Sequence, residues 1–81
     1  MYYNFGRDIR LEILATISAS NETLAYVFHR SKDPELREMA DDLMDNSNQI
    51  KRLFKDKLTG VERDLYLLKA EGDYIPPEDP K

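Results

Sequence analysis

The sequence predicts an all-α fold: an antiparallel helical hairpin, then a shorter third helix, assembled as a dimeric helical bundle. Three observations carry this expectation. Apolar residues recur at alternating spacings of three and four along two long stretches, which is the helical period. Only a few residues separate the two stretches, and a turn that short forces antiparallel neighbours. The first stretch is apolar over a wider arc than one partner helix can cover, which asks for a second neighbour.

The second stretch, Asp33 to Leu58, is the clearest. Asp33 suits an N-cap, and Pro34 suits the first helical position, where a missing N–H removes no helical bond. Leu36, Met39, Leu43, Ile50 and Leu53 form the row, with Ala40, Ser47 and Phe54 beside it. The row is interrupted at Asn46. The first stretch runs to about Arg30, beginning near Phe5 with Asn4 as cap or one turn later. Ile9, Ile13, Ile17, Leu24 and Val27 share one face, with Ser20 in the missing step. Leu11, Leu14, Ala15, Ala25 and Phe28 widen it. Ser18, Ser20, Asn21 and Thr23 bond readily to nearby backbone and make a soft spot, with a break near Ser20 as the alternative.

Ser31, Lys32 and Asp33 make the turn. Folding about it pairs positions whose numbers sum to roughly 65 or 66, setting Leu24 near Leu43, Ile17 near Ile50 and Ser20 opposite Asn46. The two polar interruptions then coincide, which marks Ser20 and Asn46 as candidates for fixing register or dimer state. Thr59-Gly60-Val61-Glu62 matches a capping box opening a third helix from Gly60 to Glu71, which would bury Val61, Leu65 and Leu68. The competing reading runs the second helix straight through Gly60. Gly72 is a stop signal. The domain is therefore 1–72, and the proline-bearing tail 73–81 is extended or disordered.

Composition bounds the rest. Eighty-one residues make one small domain, and such a chain buries only ~60% of its unfolded surface. There is no Cys and a single His, so disulfides, thiolate sites and multi-histidine metal sites are excluded within one chain. Stability must come from close helix packing or oligomerisation. The formal charge of −4 disfavours nonspecific nucleic-acid binding. No apolar run reaches membrane-spanning length, and Met1 to Asp8 does not read as a signal peptide. A cytoplasmic location follows as the expectation.

Charge is unevenly placed. Residues 33–49 carry Asp33, Glu35, Glu38, Asp41, Asp42 and Asp45 against Arg37, a net of −5. Residues 50–58 carry Lys51, Arg52, Lys55 and Lys57 against Asp56, a net of +3. This distribution suits the helix's own dipole and a solvated face. It also makes a two-ended binding surface, and it is self-complementary when two copies meet antiparallel. The candidate interaction residues are Glu38, Asp41, Asp42, Asp45, Lys51, Arg52 and Lys55. The acidic ridge among them lacks the glycine and later glutamate of a calcium loop. With no Ser-His-Asp set, glycine-rich phosphate loop or HExxH, and with His29 near a helix end, the chain does not read as an enzyme, and no cofactor or metal is expected.

Arg37 to Phe54 also resembles a helix-turn-helix DNA-binding unit. Ala40, Leu43, Ile50 and Leu53 stand at that motif's apolar positions, and Ser47, Asn48, Gln49, Lys51 and Arg52 would open its recognition helix. Met44 stands where its turn usually has Gly, and Asp45 where it usually has an apolar residue. The preferred function is a small acidic, non-enzymatic protein–protein interaction module, such as an adaptor, assembly factor or inhibitor. Its expected partners are a second copy and an unidentified protein. The alternatives are a DNA-binding regulator using 37–54 and a phosphate-mimicking inhibitor of a DNA-binding protein using the acidic ridge.

Overall fold

The computed structural model describes residues 8–72, which form three helices and no strand. Asn4 and the tail from Asp73 lie outside the described residues. Helix α1 spans Ile9–His29 in one unbroken run, so the polar patch around Ser20 does not break it. Asp8 is its N-cap, with a carboxylate that accepts from Arg10 N–H at 2.9 Å. Thr16 and Thr23 return their hydroxyls to the carbonyls four residues back, at 3.1 Å each. That satisfies the hydroxyls without opening the helix.

A tight turn over Arg30 to Asp33 follows. Ser31 N–H donates to Phe28 and Arg30 N–H to Val27, closing α1. Ser31 Oγ accepts from Asp33 N–H at 3.0 Å, and the Asp33 carboxylate accepts from Glu35 N–H at 2.9 Å. Helix α2 starts at Pro34, as the sequence expects, and runs to Lys57 without interruption. There is therefore no turn at Met44 and Asp45. The helix-turn-helix unit expected from 37–54 is corrected to a segment of one straight amphipathic helix.

The chain does break before the third helix. Leu58 and Thr59 are extended, and Gly60 has φ of +62°, a left-handed conformation that glycine adopts without steric penalty. Helix α3 spans Gly60–Lys69. The capping box is not made, because Thr59's side chain bonds no helix N–H. With Gly60 left-handed, the first turn does not bring that N–H over the hydroxyl.

Helices α1 and α2 are antiparallel neighbours. Helix α3 doubles back beside them in the direction of α1: Tyr66 stands at the level of Glu12, Ala70 at Ser18 and Gly72 at Glu22. The core at the open end of the hairpin is Ala15, Ile50, Phe54, Leu58, Tyr66 and Ala70, with Leu11, Leu14 and Leu67 packed against it. Phe54 and Tyr66 meet with ring centroids 5.5 Å apart and planes tilted by 38°, within the favourable range for an aromatic pair. Tyr66's hydroxyl reaches a Glu12 carboxylate oxygen at 2.9 Å, so the buried phenol is satisfied.

Register and face come apart. Ser18 meets Ser47, a pair summing to 65, so the hairpin closes close to the expected register. The expected face of α2 turns inward, but those of α1 and α3 do not. The buried residues of α1 are Ala15, Ser18, Glu22 and Ala25, and those of α2 are Ala40, Ser47, Ile50 and Phe54. The row Ile9, Ile13, Ile17, Leu24 and Val27 points to solvent, from 41% exposed at Ile17 to 68% at Ile9. In α3, Tyr66 and Ala70 are buried while Val61, Leu65 and Leu68 are exposed. Small side chains at the α1–α2 seam let the two helices approach closely, and the bulky aliphatic stripes of α1 and α3 are left outside.

Candidate functional site

Two features stand out, a buried polar knot and an open aliphatic face. The knot joins all three chain segments. The Glu22 carboxylate is 6% exposed and takes Lys51 Nζ at 2.6 Å and the Ser47 hydroxyl at 2.5 Å on one oxygen. Its other oxygen accepts from Gly72 N–H at 3.0 Å. Ser47 Oγ lies 2.6 Å from Ser18 Oγ, which donates to the Ala70 carbonyl at 2.8 Å. The two hydroxyls have one proton each for three close contacts. With Ser47 donating to the carboxylate, the Ser18 proton is shared between Ser47 Oγ and the Ala70 carbonyl.

Burial pushes the Glu22 carboxyl up. Hydrogen bonds from Lys51, Ser47 and the Gly72 N–H, helped by the Lys51 charge, outweigh it and hold the group below the ordinary glutamate range. The knot anchors the end of α3 to the hairpin and leaves its polar atoms paired rather than displayed. It is a structural lock. Gly72 belongs to it for steric reasons too, since a Cβ there would fall on the Ala19 carbonyl oxygen and lie 2.8 Å from Glu22 Cβ.

The open face lies on the opposite side of α1. Ile13, Ile17, Ser20, Leu24 and Val27 follow one another at steps of 4, 3, 4 and 3 residues, the spacing of a helix–helix seam. From Ile9 to Val27 this stripe is about 27 Å long at 1.5 Å per residue. Between Leu11 and Phe28 the only charged side chains are Glu12 and Glu22. Both are turned away from the stripe, Glu12 to Lys69 at 2.8 Å and to Tyr66, Glu22 into the knot. The face is therefore free of charge from Leu11 to Phe28, with Arg10 at its N-terminal edge. Shallow clefts border it on both sides. One is lined by Ile17, Asn21, Met39, Asp42, Leu43 and Asn46, the other by Ala19, Ser20, Thr23, Leu24, Glu71 and Gly72.

The residues singled out from sequence are distributed as follows. Glu38, Asp41, Asp42 and Asp45 are exposed along α2, with Asp41 Oδ1 3.1 Å from His29 Nε2. Among the described residues no group of three or more acidic, histidine or cysteine side chains is gathered to hold a metal ion. Arg52 and Lys55 are exposed at the other end. Lys51 is instead the cation of the buried knot. Ser20 and Asn46 do not meet inside the hairpin. Both are exposed, and Asn46 accepts from the Asn21 amide at 2.8 Å across the rim. The expected row rotates out of the seam at that level, so the two polar gaps are not a buried pair. Ser20 sits in the open stripe.

Sequence reasoning missed Glu22, Ser18 and Gly72. One signal was available: a lone glutamate at 22 inside an otherwise uncharged helical run is costly unless it is paired. No protein-family model, no curated protein and no solved structure matches this chain.

Proposed function

We propose that this chain is a non-enzymatic protein–protein interaction module that binds through the open face of α1. One observation carries the reading: the solvent side of α1 presents the aliphatic residues Ile9, Ile13, Ile17, Leu24 and Val27 and, from Leu11 to Phe28, no charge. Contiguous exposed apolar surface marks a binding site, and interface centres are depleted of charge. By contrast, α2 has an outer face crowded with charge, as a helix facing water should. The small size of the domain points the same way, because a chain this short gains much of its stability from what it is assembled with. No helix among the described residues is long and apolar enough to cross a membrane, so a bilayer-spanning role for the stripe draws no support.

The test is a photo-crosslinking amino acid placed at Ile17 and, as a comparison, at the exposed Asp64 of α3, in the cells that make the protein. A protein adduct from position 17 and none from position 64 is expected. Expressed, folded protein that gives no protein adduct from position 17 refutes the reading.

A further inference from the structure

We infer that the occupant of the α1 face is a second copy of the chain, laid antiparallel across it with Ser20 beside the two-fold axis. The inference rests on the reading of that face as an interaction surface, and it adds the partner and the geometry.

The stripe is close to symmetric about its middle. Antiparallel pairing of positions whose numbers sum to about 40 sets Ile13 against Val27, Ile17 against Leu24 and Ser20 against its own counterpart. Large aliphatics then face large aliphatics at both ends. The small Ser20 side chains occupy the centre, where two helices come closest and two hydroxyls can bond each other. With no charged side chain on the stripe, no like charge is opposed and no ion is buried.

Charge at the flanks chooses the direction. The hairpin sets the acidic part of α2, residues 33–49, beside the C-terminal half of α1. It sets the basic part, residues 50–58, beside the N-terminal half. A parallel pair would bring acidic end to acidic end. The antiparallel pair lays the acidic end of one copy, with Glu38, Asp41, Asp42 and Asp45, along the basic end of the other, with Arg52, Lys55 and Lys57. Complementary ends of this kind set orientation and speed association. The cleft lined by Ile17, Met39 and Leu43 borders the seam and gives the partner's side chains a place to enter.

The experiment uses the full chain. Sedimentation equilibrium should show twice the 9.5 kDa chain mass at low micromolar concentration, with dissociation increasing several-fold in 0.5 M salt. Ile17→Glu and Leu24→Lys should each give monomers of unchanged helix content. Leu65→Glu, on the exposed stripe of α3, should remain dimeric.

Because the chain has no cysteine of its own, orientation can be read from single cysteines. Ile13→Cys and Val27→Cys proteins, mixed under mild oxidation, should form a 13–27 disulfide while neither cross-links to itself. Self-cross-linking of each variant would show a parallel pair and overturn the inference. So would a dimer broken by Leu65→Glu and not by Ile17→Glu. A wild-type monomer at high micromolar concentration overturns the second copy as occupant. If position 17 still yields a protein adduct in cells, the interaction-module reading survives that result.

Discussion

Removing the cation from the buried knot should change the pH dependence of this protein's stability through Glu22. In Lys51→Met the Glu22 carboxylate, 6% exposed, loses the Nζ at 2.6 Å that compensates its burial. Stripping one partner from a buried ion pair costs ~3–5 kcal/mol. Here the Ser47 hydroxyl and the Gly72 N–H still donate to the carboxylate, so a loss of about 3 kcal/mol at pH 7 is expected, at the low end of that range. That is a large part of the ~4–12 kcal/mol available to a chain of this size.

The sign of the pH effect is the sharper test. In the native protein Glu22 is held below its unfolded value. Its contribution is therefore present above the ordinary glutamate value of ~4.3 and is lost as pH falls through the lower folded value. Without Lys51, burial, the largest single influence on the group, is opposed only by Ser47 and the Gly72 N–H, so the folded value is expected to rise. Relative to the wild type, the variant should then gain stability as pH falls from neutral toward the ordinary glutamate range. Urea denaturation followed by far-ultraviolet circular dichroism, between pH 3.5 and 7.5 at one protein concentration, measures both slopes; the fixed concentration keeps any assembly term constant. A Lys51→Met protein with the wild-type midpoint at pH 7, or with an unchanged pH slope, would refute the account of the knot.

Four further variants have outcomes that follow from particular backbone and side-chain positions. Gly60→Ala puts a side chain at a left-handed φ of +62° and should cost ~1–2 kcal/mol, whereas Thr59→Ala removes no capping bond and should shift stability by less than ~0.5 kcal/mol; thermal melts of the two compare them directly. Gly72→Ala drives a methyl onto the Ala19 carbonyl and disturbs the Glu22 contact, so a loss of ~1–3 kcal/mol is expected by chemical denaturation. Asn46→Leu loses only a rim bond to Asn21 and should change stability by less than ~1 kcal/mol with no change of oligomeric state by sedimentation.

The helices were legible because their signals are local. Asp33-Pro34 opens α2 through a side chain bonding an N–H two residues away, and the turn before it is closed by groups within four residues. The break at Gly60 rests on one residue's freedom at positive φ. Even the hairpin register followed, since a short turn leaves two antiparallel helices little room to slide. Periodicity also showed that the apolar surface of α1 is wider than one neighbouring helix covers, and part of it is exposed.

What periodicity does not contain is which arc turns inward. A helix with bulky aliphatics on one side and Ala15, Ser18, Glu22 and Ala25 on the other has two possible cores, and hydrophobicity alone favours the bulkier. The tertiary structure chose the smaller. Ser18, Glu22, Ser47 and Lys51 find their partners only when α2 and the Ala70 to Gly72 segment, 25 to 52 residues away in sequence, are brought together. Close approach at small residues and full pairing of a buried carboxylate are properties of three segments at once. Which face of α1 is left exposed was therefore decided by groups on α2 and after α3, where no pattern within α1 records it.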